Sequence, residues 1–291
     1  MNNYLIFRTD RIGDFLISAI LIKCIKKNDP NSHITLISSK KNYAYIKTFP
    51  YVDKVISLNN SFFGKIILFF KLIKFNFKYI IIHDDKNRSK FISLFLKSSL
   101  KINIDSSIIS HIEIIKDILK KMNFKFFNSS LNIFDNTKKK KPLTKKLVQF
   151  HFDEKWIFKD YIKEFIKIEP TELELINFIK KILQMNKNVI ITSSYKLPLI
   201  LEKIKPKLMD LEINLYENLS FSQLQNITSN SDLLISCHGA ISHVAAAYNV
   251  KQIDIIDKTY DYTKWTDHFR NYHFLYRQNF KKLSKKIINL L

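Results

Sequence analysis

The sequence predicts an α/β protein of two units, each a parallel sheet covered by helices on both faces. Three observations carry this. In the first half, short apolar runs at 4–8, 33–38, 54–57, 78–83 and 100–103 alternate with longer segments of helical spacing, as in a parallel sheet buried on both sides. Between Asn123 and Lys146 the rhythm fails, and Asn128-Ser129-Ser130 and the run Lys138 to Lys141 before Pro142 read as a crossing between units. At Leu147 it resumes, with strands at 147–151, 188–192, 212–216, 232–236 and 251–256. A chain of 291 residues has room for two cores. The boundary is placed near Lys145, dividing the chain into 1–145 and 146–291.

The first half is organised around Tyr4 to Asp14, a strand, a tight polar loop and the start of a helix. The chain has only three glycines, Gly13, Gly64 and Gly239, so each marks a backbone need. At Gly13 a strand hands over to a helix, where a positive φ and exposed N–H groups would serve an anion. Asp14 then has two readings, an ordinary cap for orphan N–H groups or a carboxylate at the mouth of a cleft. The helix carries Phe15, Ile17, Ala19, Ile20 and Ile22 and stops at Asn28-Asp29-Pro30, and a second ends before Pro50. From Ser61 to Lys74, Phe62, Phe69, Phe70 and Leu72 are interleaved with Lys65, Lys71 and Lys74. Such a segment fits a membrane surface and equally a crossover helix with solvated lysines. Asp84 and Asp85 follow the fourth strand and read either as a metal-holding pair or as a solvated capping turn, while Arg88 suits an anionic acceptor.

In the second half, Ser231 to Ala247 reads as a strand, a glycine turn and a helix of small residues. That is the build of a diphosphate seat: the helix N-terminus offers free N–H donors and partial positive charge, and Gly239 lets a phosphate approach. Ala245, Ala246 and Ala247 let the helix sit tightly on the sheet. His238 falls at a strand's carboxyl end, where open α/β sheets bind ligands, whereas His243 alone reads as a buried helix histidine. Neither has a partner at metal-ligand spacing. Lys155 and Trp156 follow the first strand of this half. Thr192, Ser193, Ser194 and Lys196, and Tyr216 to Leu219, follow later strands, where a nucleotide pocket would be lined. Phe280 to Leu291 has helical apolar spacing at Leu283, Ile287 and Leu290 and is expected to pack back on the first unit.

Composition narrows the function. The net charge is +22, yet Arg8, Arg11, Arg88, Arg270 and Arg277 are the only arginines, and abundant Lys, Ile, Asn and Phe mark an AT-rich coding bias. A field this positive draws phosphates, anionic lipids and acidic sugars, but no aromatics alternate with the lysine run, which argues against nucleic acid. Cys24 and Cys237 read as buried thiols. No leader pattern precedes the first strand and no apolar run spans a bilayer, so a cytoplasmic protein is expected.

Arg8-Thr9-Asp10-Arg11-Ile12-Gly13-Asp14 resembles the N-terminal signature of the heptosyltransferase-like glycosyltransferases, family 9, in which the aspartate after the glycine is the proposed catalytic base. That role carries over to Asp14. The donor motif of the family is usually Asp-Thr-Gly, two residues, His and a run of small residues. Ser242-His243 and the alanines align with it, but His238, Gly239 and Ala240 stand where it has aspartate, threonine and glycine.

The resemblance implies the GT-B architecture, two Rossmann-like domains with parallel sheets facing a central cleft. It implies an inverting, metal-independent transferase without a cofactor, moving a heptose or similar sugar from a nucleotide diphosphate donor such as ADP-heptose. The acceptor would be lipopolysaccharide or another surface-glycan or lipid-linked molecule, and the protein a monomer, cytoplasmic or peripheral at the inner face of an anionic membrane. On the donor side it points to Lys155, Trp156, His238, Gly239, Ala240, Ile241 and His243, joined by position by Ser193, Lys196 and Leu219. On the acceptor side it points to Arg11, Gly13 and Arg88, with no metal site. Two rivals stand beside it: a metal-dependent nucleotide-sugar enzyme using Asp84 and Asp85, and a non-catalytic basic protein binding nucleic acid or membranes.

Overall fold

A computed structural model describes residues 2–59, 61–105, 107–108, 110–134, 145–157, 165–193 and 197–291. They form two compact units, 1–133 with 263–268, and 134–262 with 269–291. The chain thus returns once to the first unit after building most of the second. The lysine run and Pro142 lie outside the described residues.

The first unit is a parallel sheet of β1 (Asn2–Phe7), β2 (Ser32–Ser38), β3 (Lys54–Ser57), β4 (Phe77–Ile82) and β5 (Ser98–Asn103), in the order β3-β2-β1-β4-β5. β1 is central, and its Tyr4 to Phe7 are fully buried between β2 and β4. The helices are α1 (Ile12–Asn28), α2 (Tyr43–Ile46), α3 (Phe62–Leu72), α4 (Asn87–Leu94) and α5 (His111–Lys121). α1 is buried almost all round from Phe15 to Ile25 because α5 and the turn Asn128–Leu131 cover its outer side. It ends where the Asp29 N–H donates to the Ile25 carbonyl at 2.7 Å. The expectation for Gly13 is corrected: no glycine has a positive φ, and Gly13 is the second residue of α1, in its first turn. The returning segment carries α10 (Thr263–Thr266) and packs beside α5, where Trp265 faces His111 at 6.0 Å and Asp267 accepts from Ser110.

The second unit repeats the plan with β6 (Lys146–His151), β7 (Lys187–Thr192), β8 (Asn214–Tyr216), β9 (Leu233–Cys237), β10 (Lys251–Ile256) and β11 (Tyr272–Tyr276). Their order is β11-β10-β9-β6-β7-β8, all parallel. The helices are α6 (Glu172–Gln184), α7 (Leu199–Asp210), α8 (Phe221–Asn230), α9 (Ala240–Ala247) and α11 (Phe280–Leu290). β11 is absent from the sequence reading because it is an edge strand with His273, Phe274 and Tyr276 exposed, so no apolar alternation marks it. The destination of α11 is also corrected. Phe280, Leu283 and Ile287 are buried in the second unit's core, with Phe280 against Phe178 of α6 at 5.7 Å and Trp156 at 6.3 Å.

Candidate functional site

In the first unit a cavity of about 660 Å³ opens at the carboxyl ends of the central strands. The loop after β1 gives Thr9, Asp10, Arg11 and Asp14, and the segment after β2 gives Ser39, Lys40 and Lys41. Leu58 and Asn59 follow β3, and Lys86 and Arg88 follow β4. This is the switch point of the sheet, where the chain runs from β1 to β2 on one side and crosses from β3 to β4 on the other, so that a crevice opens without a loop to fill it. Arg11, Lys40, Lys41, Lys86 and Arg88 face only Asp10 and Asp14 there, so the lining favours an anion. Lys86 pairs with Asp10, and Arg88 donates to Thr9 Oγ1 at 2.8 Å.

Asp14 caps the first turn of α1 and also lines the cavity. Its Oδ2 accepts from the Arg11 N–H at 3.2 Å, closing the first turn of α1, yet the side chain remains part-exposed on the cavity. Beneath it lies Arg8, a residue the sequence reading passed over. This buried guanidinium donates from Nε to the Asp14 carbonyl at 2.9 Å and from Nη1 to the His83 carbonyl. Its Nη2 stands 4.0 Å from Asp14 Oδ1 and has no hydrogen-bond partner among the described residues. The arrangement fixes the backbone from which Asp14 projects and puts a cation behind its carboxylate. Burial, and next the charge of Arg8, hold His83 well below the usual histidine range and His111 down to about 3. The two imidazoles that feel the charge of the arginine are therefore neutral. Its rarity is the signal that could have found it: where lysine is the default cation, a position that keeps arginine needs the planar fork.

Asp84 and Asp85 do not form a chelating pair. Buried Asp84 Oδ2 accepts from Thr9 Oγ1 at 2.5 Å, Ser89 Oγ at 2.8 Å and the Thr9 N–H at 3.3 Å. Asp85 sits in a left-handed turn at φ 49° and pairs with Lys90 at 2.6 Å. The first carboxylate ties the β1 and β4 loops together and the second faces a different partner, so the metal-holding reading of the pair is corrected. No cluster of three or more potential ligands occurs among the described residues.

The second unit has its own switch point between β6 and β9, and Lys155 and Gly239 meet there. Lys155 follows β6 in the short turn Glu154–Trp156, and its ammonium donates to buried Asp153 Oδ2 at 2.7 Å. Burial disfavours that charge, but Asp153 outweighs burial and raises the lysine above its ordinary range. The ammonium lies over Gly239, where a Cβ would stand 2.5 Å from Nζ. Gly239 is extended, at φ −179° and ψ −164°, so space and not backbone conformation excludes a side chain. Arg277, just past β11, fixes the turn from below. It donates from Nη2 to the Lys155 carbonyl at 2.9 Å and from Nε to the Ile166 carbonyl at 3.0 Å. It is the second buried arginine, and the sequence reading missed it too.

Beside this seat, His238 Nδ1 lies 2.9 Å from Oδ2 of fully buried Asp254 on β10. The other oxygen of Asp254 accepts from Ser242 at 2.7 Å and Ser236 at 3.0 Å. An acceptor-only carboxylate at Nδ1 draws the ring proton there and orients the imidazole, with Tyr262 at 5.0 Å and Phe269 at 6.3 Å from it. Ser242 also accepts from the Gly239 N–H at 3.2 Å, which leaves the following N–H groups of α9 for a ligand.

The other expected donor residues divide. Gly239 and Ala240 are part-exposed at the seat, while Ile241 and His243 are buried in α9. Trp156 is fully buried, donates to the His151 carbonyl at 3.1 Å and stacks on Phe152 at 5.2 Å, so it packs the core under the turn. Ser193 is committed to the Phe152 carbonyl at 2.8 Å and is likewise buried. Its expected lining role is corrected. Leu219 is half-buried after β8, and Lys196 lies outside the described residues.

No protein-family model and no curated protein matches the sequence. Solved structures do match the fold. An Escherichia coli heptosyltransferase, WaaC, determined with ADP, is similar at a TM-score of 0.74 over 99% of each chain, with 12% identity. A glycosyl transferase of family 9 from Veillonella parvula is similar at 0.69 over 99% of this chain and 88% of that one, with 11% identity. The E. coli ADP-heptose lipopolysaccharide heptosyltransferase II gives 0.67 over 99% and 97%, with 12% identity. The fold is therefore the GT-B type of two Rossmann-like units, and at this identity the likeness is one of fold.

Proposed function

We propose that this protein is a glycosyltransferase of the heptosyltransferase type, moving a heptose or similar sugar from a nucleotide diphosphate donor to a surface-glycan or lipid-linked acceptor. The observation that carries the reading is the Lys155 ammonium, held by Asp153 over Gly239 at the N-terminus of α9, in a fold like that of heptosyltransferases. A cation beside free helix N–H groups is what a departing diphosphate needs, since charge grows on its bridging oxygen as the glycosidic bond breaks. The acceptor belongs to the first unit, where the five basic residues that line the cavity suit an anionic sugar or phosphate.

In this reading the acceptor hydroxyl attacks the anomeric carbon from the face opposite the leaving group, inverting the centre. The carbon–oxygen bond to the diphosphate breaks, and the hydroxyl proton passes to Asp14. Arg8 positions Asp14 and takes no part in the proton transfer. Lys155 and the backbone N–H groups of α9 stabilise the leaving group without a divalent ion. ADP-sugars are the first donors to test, and the site of action is the inner face of an anionic membrane.

The experiment is a thermal-shift and calorimetric comparison of nucleotide diphosphates and their sugars, followed by transfer assays with the best binder. Saturable binding of one nucleotide diphosphate that is lost in Lys155→Gln supports the reading. Absence of binding to every nucleotide tested, by a folded protein, would sink it.

A further inference from the structure

The first unit carries an apolar face beyond the one it packs on its sheet. Leu68 and Leu72 of α3, with Ile92 and Leu96 of the α4 segment, are buried in the core against β1 and β4. On the outer side of the same helices Ile67, Phe70, Phe91, Leu94 and Phe95 are all more than half exposed, Leu94 at 67% and Phe70 at 66%. A groove of about 670 Å³ lies between the helices, lined by Lys65, Ile66, Phe69, Arg88, Phe91 and Phe95 among others. Phe70, Phe69, Phe95 and Phe91 cross it as a run of rings with successive centroids 5.7, 6.1 and 5.2 Å apart. A cluster of this kind at a surface marks a place where something apolar lands.

The charge around it says what lands there. Residues 61–101 contain nine basic side chains and two acidic ones, Asp84 and Asp85. Asp84 is buried in its own hydrogen bonds and Asp85 is paired with Lys90. Lys71, Lys74 and Lys97, close to the rings in sequence, are exposed. A second copy of the chain would set lysines against lysines, whereas a phosphate-rich interface takes the cations while the rings enter the acyl boundary. Arg88 lines both this groove and the polar cavity that holds Asp14. A membrane lipid whose head group enters the cavity would leave it along the apolar groove.

We propose that the α3–α4 face docks the protein on an anionic phospholipid bilayer and brings the Asp14 cavity to the head-group layer. The docking stands on this face alone; only the identity of the molecule entering the cavity rests on the proposed function. The test is co-sedimentation of the full chain with vesicles of phosphatidylcholine alone and of phosphatidylcholine with phosphatidylglycerol. Binding should favour the anionic vesicles by about tenfold or more and weaken with salt. Phe70→Ser/Phe91→Ser/Phe95→Ser removes exposed rings only, so it should keep its melting temperature and nucleotide affinity while losing vesicle binding by about tenfold or more. Lys71→Gln/Lys74→Gln/Lys97→Gln should lose the preference for phosphatidylglycerol. Vesicle binding by the phenylalanine variant equal to the parent's would overturn the proposal, as would equal binding of the parent to both vesicles. A parent that ignores vesicles but forms a dimer abolished by the same variant would give the face to a second copy and refute bilayer docking. Nucleotide calorimetry on the same samples keeps the tests apart, since its failure would remove the proposed function without touching the docking result.

Discussion

Gly239→Ala should disable the seat of the second unit through the end of the Lys155 side chain. The backbone there is extended, so alanine adopts it without strain. Its Cβ would stand 2.5 Å from Lys155 Nζ, 3.3 Å from Lys155 Cε and 3.8 Å from the Cys237 carbonyl oxygen. Non-bonded atoms settle at about 3.5–4.0 Å, so the ammonium must withdraw by roughly an ångström while the backbone contact stays ordinary. The 2.7 Å bond from Nζ to Asp153 fixes where the charge now stands, and the ammonium leaves that place with it. A hydrogen bond to a charged group is worth about 1.5–3 kcal/mol, so ADP should bind between about tenfold and about 150-fold more weakly.

The assay is titration calorimetry on Gly239→Ala, Lys155→Gln and the double variant. Glutamine keeps a donor for the buried Asp153 carboxylate, which Lys155→Ala would leave with less compensation. Because the alanine acts through the lysine, adding it to Lys155→Gln should cost under about 0.5 kcal/mol more. Losses that simply add would show that Gly239 and Lys155 act separately. Parental affinity in both single variants would remove the nucleotide from this seat.

Asp14→Asn should lower transfer by about 10²–10⁴-fold at unchanged ADP affinity, and parental turnover would reduce Asp14 to the cap of α1. Transfer should withstand EDTA; recovery of lost activity with manganese or magnesium would reopen a metal-dependent mechanism. Asp84→Ala should lower stability by about 1–3 kcal/mol in denaturant titrations, since it strands buried donors of Thr9 and Ser89, and an unchanged midpoint would deny it that role. Burial lowers His83, His111 and His151, so below about pH 6.5 the unfolded chain takes up protons that the native one refuses. Stability should be full above that pH and fall as pH drops, His111 contributing down to about pH 3; denaturation curves that coincide at pH 7.5 and 5.5 would contradict it.

The sequence by itself determined the elements and where the chemistry could begin. Apolar runs of strand length and longer helical patterns are local signals, and they locate β1 to β10 to within about two residues. With strands recognised, Asp14, Arg88, Lys155 and Gly239 were legible as residues just beyond carboxyl ends. Tertiary structure decided their company. Arg277 meets the Lys155 carbonyl from 122 residues away, and Asp254 meets His238 from the neighbouring strand, pairings that follow from strand order. Arg8 looked like part of a polar loop and is a buried support. Trp156 and Ser193 looked like pocket residues and are core. Periodicity records which way a side chain points from its own element, whereas burial depends on what another element later lays over it. Residues 263–268 and α11 were placed for that reason by packing alone: α11 buries Phe280, Leu283 and Ile287 where α6 offers an apolar surface.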